Sequence, residues 1–202
     1  MTVADMVTHI RTVAARHGVK DEVPLSEVLM AINDAASRVA AAVPINIKST
    51  TLSPTVAGGN EYDLPTDLIK IRRVKISDTG QYLKRLNKYA GTELSYTAID
   101  ELSETVWEPV GSKLYLWDFS LDSGYKQAAD VDEIVLVYQA LLSEVTEDSM
   151  SSSVSGNRIA DSAIENLAIS FIVSANGDPL AAANYETRAR YLILDIPTDA
   201  SI

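Results

Sequence analysis

The spacing of hydrophobic residues changes twice along this chain, and that order constrains the fold more than any other feature. Near both ends, apolar side chains recur every three or four residues, the period of a helix with one buried face. Between these segments, apolar and polar residues alternate in short β-branched stretches, as in strands. We therefore predict an α+β fold. An N-terminal helical hairpin should precede a mostly antiparallel β-sheet region, followed by two C-terminal helices and an extended C-terminal tail.

Two helices are predicted before the β region. The apolar stripe of the first covers residues 3–17, and Gly18 is a favourable residue to follow its C-terminus. The second helix lies between Pro24 and Pro44, with Ser26 as its predicted N-cap. A short turn between two such helices produces a helical hairpin.

The β region is predicted over residues 45–142, and one of its strands has an irregular pattern. Ile69 and Ile71 share one face of that strand, whereas Val74 begins an apolar set that is out of phase by one residue. A β-bulge at Arg72–Arg73 would restore a single apolar face, because a bulge inserts one extra residue into a strand.

The other strands are predicted from their alternation and from the turns between them. Asp78–Gly80 is a hairpin turn with Gln81–Leu86 as its return strand, and Val106–Pro109 and Lys113–Trp117 form another hairpin. Glu133–Leu142 is the most hydrophobic strand and is predicted to be central.

The C-terminal third is predicted to be a loop followed by two helices. Residues 143–156 are polar and rich in serine, which is typical of a flexible loop. One helix is predicted over residues 157–174 and a second from Asp178 or Pro179 to about Ile193. The predicted organisation is a body over residues 1–183, with a helix bundle from 1–43 and 157–183, and a C-terminal segment over 184–202.

The sequence offers little that would support catalysis. It contains no cysteine, which excludes disulfides, thiolate metal sites and cysteine nucleophiles. His9 and His17 are predicted to be ordinary surface residues, because no further metal ligands are spaced around them. Gly58-Gly59 lacks the lysine and hydroxyl residue of a phosphate-binding loop, so it is predicted to be a turn. We expect no enzyme activity, no cofactor and no metal.

Charge is distributed unevenly along a chain whose net charge is −11. Residues 68–90 carry seven basic side chains and one acidic one, whereas residues 91–202 carry five basic and nineteen acidic side chains. We refer to the basic side chains between residues 70 and 88 as the basic strip. They are Lys70, Arg72, Arg73, Lys75, Lys84, Arg85 and Lys88.

Three roles for the basic strip are open from the residues alone. It could be a solvated strand face, a contact with the acidic surface of a neighbouring copy, or a nucleic-acid site. Contacts between unlike patches suit self-association of an acidic chain. Nucleic-acid binding is less favoured, because only Tyr82 and Tyr89 interleave with the basic residues and the chain as a whole is not basic.

The order of these features resembles that of the head-to-tail adaptor proteins of tailed bacteriophages, also called connector, neck or tail tubular proteins. The most specific stretch is Gly59–Ile76, which contains the sequence YDLPTDLIKIRRV. The helix before Pro44 and the two C-terminal helices match in order and length, so the resemblance covers most of the chain.

The resemblance implies a structural virion protein at the head-to-tail junction, assembled in the host cytoplasm. Such proteins form rings, generally dodecameric, that dock below the portal protein and carry the tail nozzle or tail tube protein. Identical subunits are then the lateral partners, and duplex DNA passes through without specific binding during ejection. No membrane partner is expected, since no apolar run approaches the roughly 20 residues of a membrane span. The alternative is a nucleic-acid-binding accessory protein that uses the basic strip.

Two sets of interface residues are expected, one from the charge distribution and one from this resemblance. The basic strip is the expected inter-subunit interface. By position, Asn184–Ile202 is the segment expected to dock onto the portal, although Leu192 and Leu194 could pack on the protein's own body instead, with residues 197–202 as a frayed end. The expected docking residues are Tyr185, Arg188, Arg190, Tyr191, Leu192, Ile193, Leu194, Ile196 and Ile202.

Overall fold

The chain folds into two compact units of different secondary structure. The computed structural model describes residues 1–19, 22–86, 105–119, 126–128 and 131–196. The helical unit comprises Met1–Asn46 and Leu141–Ile202, and the sheet unit comprises Ile47–Ala140. The predicted α+β class is confirmed, with two helices before the sheets and two after them.

The helical unit is built from the apolar stripes that the sequence shows. Ile10, Ile32 and Ile164 are fully buried in its core and come from three different helices. No helix among the described residues meets the length and hydropathy needed to cross a membrane. The described α-helices are α1 (Val3–Arg16), α2 (Leu25–Ala42), α3 (Arg158–Ala175) and α4 (Pro179–Leu194), with a short 3₁₀ turn at Glu147–Ser149.

The helices begin at residues whose side chains or rings suit that position. Asn157 caps α3 by accepting the backbone N–H groups of two following residues, and Asp178 caps α4 in a similar way. The prediction of Ser26 as the cap of α2 is wrong. The helix begins at Leu25 with Pro24 as its N-cap residue, so Ser26 lies inside the first turn.

The serine-rich segment before α3 is hydrogen-bonded to that helix, although its composition predicts a flexible loop. The side chain of Asp161, which is 1 % exposed, accepts hydrogen bonds from the Ser153 hydroxyl at 2.7 Å and the Ser155 backbone N–H at 2.9 Å. The Ser155 hydroxyl donates a third at 2.7 Å. A buried carboxylate therefore organises the segment, which sequence composition does not reveal.

The described strands of the sheet unit form two sheets. The strands are β1 (Ile47–Leu52), β2 (Glu61–Asp63), β3 (Leu68–Ile76), β4 (Lys84–Arg85), β5 (Thr105–Val110), β6 (Lys113–Phe119), β7 (Lys126–Ala128) and β8 (Ile134–Ala140). One sheet has the order β1-β8-β3; the other has the order β2-β6-β5-β4, and β7 pairs with β6. All these pairs are antiparallel except β4 with β5.

The predicted central strand and one predicted hairpin are confirmed. β8 is the middle strand of its sheet, and Leu136 on it is fully buried. β5 and β6 pair as a hairpin around Gly111, whose φ of +61° lies in the left-handed region that favours glycine.

The bulge in β3 is confirmed as well. Ile71 lies opposite Tyr138 and Arg73 opposite Val137, so β3 advances two residues while β8 advances one, and Arg72 is the extra residue. A second register shift, between Leu68 and Lys70, is not evident from the apolar pattern.

The predicted return strand after Gly80 forms only in part. Tyr82 makes a single bridge to Lys75, and the chain then enters the other sheet, where Lys84–Arg85 pairs parallel with β5. Leu83 is buried in the core of the sheet unit. Its burial fixes the chain where it passes from the first sheet to the second.

Candidate functional site

Basic residues of β3 share one face of the first sheet. Arg73 and Lys75 lie opposite Val137 and Val135, whereas Leu136 between these valines points to the buried face, because side chains alternate along a strand. The bulged Arg72 turns to the same outer face as Arg73. The basic residues on β3 are Lys70, Arg72, Arg73 and Lys75.

The bulge brings Arg72 into contact with β8. Its guanidinium donates a hydrogen bond of 2.8 Å to the side-chain oxygen of Gln139, a polar residue that is 2 % exposed. This bond fixes the position of the guanidinium and occupies one of its five N–H groups.

A groove of about 340 Å³ lies beside these residues, and we name it the arginine groove. The buried residues Val74, Leu83 and Trp107 give it an apolar floor, and Tyr82, which is 60 % exposed, lies at its edge. Its cationic residues are Arg72, Arg73 and Arg85.

Two arginines of the groove make cation–π contacts with aromatic rings. The guanidinium carbon of Arg73 lies 5.7 Å from the ring centre of Tyr82, and that of Arg85 lies 5.6 Å from the ring centre of Trp107. The Trp107 indole N–H donates to the Leu83 carbonyl oxygen at 3.1 Å, which orients the ring. The parallel register of β4 and β5 places Arg85 beside Trp107, a neighbour that sequence reasoning missed.

Two arginines of the groove lack the carboxylate partner that a basic residue has elsewhere in the described part of the sheet unit. Lys48 pairs with Asp67 at 2.6 Å, and the hydrogen bond from Lys48 holds the pKa of Asp67 below its ordinary value. In the part of the chain that the structure describes, no carboxylate forms an ion pair with Arg72 or Arg85. Lys84 is exposed, whereas Lys88 and Tyr89 lie outside the described residues.

The segment expected to dock onto the portal is divided between core and surface. Tyr185, Leu192 and Ile193 are half-buried against the core of the helical unit, and Ile196 is 4 % exposed. The outward-facing members are Arg188, Arg190, Tyr191 and Leu194, the last two being 66 % and 79 % exposed. Ile202 lies outside the described residues.

A second groove, of about 590 Å³, lies between α1, α3 and α4. Arg16, Tyr185, Arg188 and Tyr191 contribute to its lining. The guanidinium of Arg188 lies 5.4 Å from the ring centre of Tyr185, so one helix face combines cations and aromatic rings.

His9 is exposed, as predicted, and His17 is half-buried, and both contact carboxylates from the C-terminal part of the chain. His9 Nδ1 lies 2.7 Å from the buried Glu165, and His17 Nδ1 lies 3.1 Å from Asp178. The pKa of Asp178 is below its ordinary value, chiefly because its carboxylate accepts the Ala181 backbone N–H and also because of His17. Within the described ranges, no group of three or more potential metal ligands is close enough to hold an ion.

The family of the chain follows from comparison with known proteins. No curated protein sequence gives a significant match to the chain. The family model described as SU10 adaptor protein matches residues 1–200, which is almost the full length. The chain therefore belongs to the SU10 adaptor protein family, a family of phage head-to-tail adaptors.

Proposed function

We propose that copies of this chain form a ring that joins the portal protein above to a tail nozzle or tail tube protein below, and that the ring is dodecameric. The observation that carries the ring is the cationic outer face of β3 on a chain whose net charge is −11. A ring needs head-to-tail contacts between two different patches of each copy. The basic strip supplies one patch, and the acidic remainder of the chain supplies the other.

The role is structural and involves no catalysis. A ring of acidic subunits around duplex DNA repels the phosphate backbone, whereas each phosphate neutralised by a basic residue would add salt-dependent affinity. DNA then passes during ejection without being held. The protein is placed at the virion neck after assembly in the host cytoplasm, as expected for a phage adaptor.

The portal contact is proposed for the outward face of α4. Tyr191 and Leu194 are exposed there, and Arg188 and Arg190 lie on the same helix. Aromatic residues and arginine are the usual anchors of protein interfaces. Leu192 and Ile193 pack against the core and give this face a rigid support.

Negative-stain images of the protein mixed with portal test this function. The wild type should add an annular layer to the portal, and Leu194→Asp should prevent it, because a carboxylate would be buried in the contact. Val56→Asp is the matched control, since Val56 is 70 % exposed and lies in the sheet unit. Absence of the layer with wild-type protein would refute the proposed function.

The isolated protein is expected to be largely monomeric and to form the ring on contact with portal. Stable rings of purified protein in light scattering would contradict that order of events. The alternative function is nucleic-acid binding through the basic strip; the clustered cations of the arginine groove suit it, whereas the net charge of −11 opposes it. Tight, salt-sensitive binding of duplex DNA by the isolated protomer in a filter-binding assay would support this alternative.

A further inference from the structure

The arginine groove has the chemistry of a carboxylate-binding site. A guanidinium presents N–H groups in a planar fork that matches the two oxygens of a carboxylate. Arg72 and Arg85 bring two such forks to one groove of about 340 Å³. The floor beside them is apolar and includes the buried Val74 and Trp107, so a carboxylate bound there would be partly removed from water, which strengthens charged hydrogen bonds.

The arginines are positioned before any ligand binds. Arg72 is tied to the buried Gln139, and Arg85 lies over the Trp107 ring. Less side-chain freedom is therefore lost on binding than for a free surface arginine, which favours affinity.

The helical unit exposes a surface of the opposite charge. We name residues 141–148 the acidic turn, in which Glu144, Glu147 and Asp148 are exposed. None of the three forms an ion pair with a described cation. Leu141 is 39 % exposed and could contribute apolar contact area.

The backbone of the acidic turn is held in place. The Asn33 side-chain amide donates to the Val145 carbonyl oxygen at 3.0 Å, and the Val145 backbone N–H donates to the Asn33 side-chain oxygen at 2.8 Å. Val145 itself is buried. The carboxylates on either side of it are therefore presented from a fixed segment.

We infer that the arginine groove of one copy binds the acidic turn of a second copy. Carboxylates among Glu144, Glu147 and Asp148 then pair with Arg72 and Arg85. The groove and the turn are different surfaces of the same chain, so the contact can repeat head-to-tail from copy to copy, as the proposed ring requires. This inference rests on the proposed ring and names the two surfaces that close it.

A phosphate group of DNA carries the same kind of charge, but the rest of the chain disfavours it. The 28 acidic side chains outnumber the 17 basic ones, so the net charge of the whole chain opposes the approach of a duplex, even though the groove and the basic strip are cationic. Binding of an acidic segment from a second copy requires complementary charge only where that segment contacts the groove.

Charge reversal on each surface tests the contact. Arg85→Glu and Glu147→Arg should each lower the occupancy of the layer on portal about tenfold or more, because like charges then meet. The chain with both substitutions should recover most of that loss, since the pair is again complementary. Asp34→Arg, which makes the same charge change as Glu147→Arg at an exposed position of α2, is the control and should leave the layer intact.

The outcomes separate the inference from the function on which it rests. If wild-type protein forms the layer and Arg85→Glu forms it equally well, the groove contact is wrong and the adaptor function stands. Loss in both single variants without recovery in the double variant would also overturn the contact. If Arg85→Glu weakens binding of duplex DNA and leaves the layer intact, the groove serves nucleic acid instead.

If wild-type protein adds no layer, the adaptor function fails, and the contact is judged by sedimentation equilibrium of concentrated protein. At concentrations above those at which the isolated protein is monomeric, wild type and the double variant should then begin to associate, and each single variant should remain monomeric. Equal association of all four would overturn the contact.

Discussion

Asp161 is the residue whose removal should most clearly disturb the segment before α3. Its carboxylate accepts three hydrogen bonds, from the Ser153 hydroxyl, the Ser155 backbone N–H and the Ser155 hydroxyl. A hydrogen bond to a charged group contributes about 1.5–3 kcal/mol, and Asp161→Ala removes all three. The two hydroxyls can regain bonds to water, because Ser153 is exposed and Ser155 is half-buried.

We therefore expect Asp161→Ala to lower the free energy of unfolding by about 3 kcal/mol, close to the value of one or two such bonds. For a chain of this length, each 1 kcal/mol corresponds to roughly 2–4 °C, so the midpoint should fall by roughly 6–12 °C. Asp161→Asn should cost less, because the amide keeps one acceptor oxygen.

Urea and thermal unfolding followed by far-ultraviolet circular dichroism measure this effect. Asp34→Ala removes an exposed carboxylate from α2 and should change stability by no more than about 0.5 kcal/mol. Limited proteolysis should also cleave residues 143–156 faster in Asp161→Ala. If the midpoint of Asp161→Ala falls no further than that of Asp34→Ala, the carboxylate does not organise this segment.

Three further changes test other parts of the structure. Asn33→Ala should destabilise by about 1–3 kcal/mol, because it leaves the Val145 backbone groups without their partners, and urea unfolding measures this. Leu136→Ala should cost about 2–5 kcal/mol in the same assay, since the leucine is fully buried in the core of the sheet unit. The pKa of Asp178 is lowered in the folded state, so its carboxylate stabilises the fold above the unfolded value of 3.8 and the contribution is lost as pH falls through the folded pKa. Asp178→Ala should therefore lower the thermal midpoint at pH 7, and the difference from wild type should shrink progressively below about pH 4.

The sequence predicts those elements whose residues report directly on burial. The stripe of α1 and the alternation of β8 each identify one buried face, because the spacing of apolar residues follows the geometry of the element. The phase change between Ile71 and Val74 similarly predicts the extra residue Arg72, since Val74 is fully buried in the structure.

The sequence does not predict features that depend on partners far along the chain. Trp107 follows Arg85 by more than twenty positions, and only the parallel pairing of β4 with β5 brings them together. The polar composition before α3 resembles that of a free loop, because nothing local indicates that Asp161 will be buried. His9 gives no sign of its partner either, since Glu165 lies in a different helix.

The sheet unit is inserted into the helical unit through two neighbouring crossing points. The chain leaves after Asn46 and returns at Leu141, and the Asn46 side-chain amide donates to the Leu141 carbonyl oxygen at 2.6 Å. Ile47 and Gln139 are register partners just beyond these points. Because the chain leaves and re-enters the helical unit at adjacent residues, the size of the inserted segment does not change the path of the helices. Evolution can therefore enlarge, trim or exchange the inserted module without rerouting the bundle that carries it.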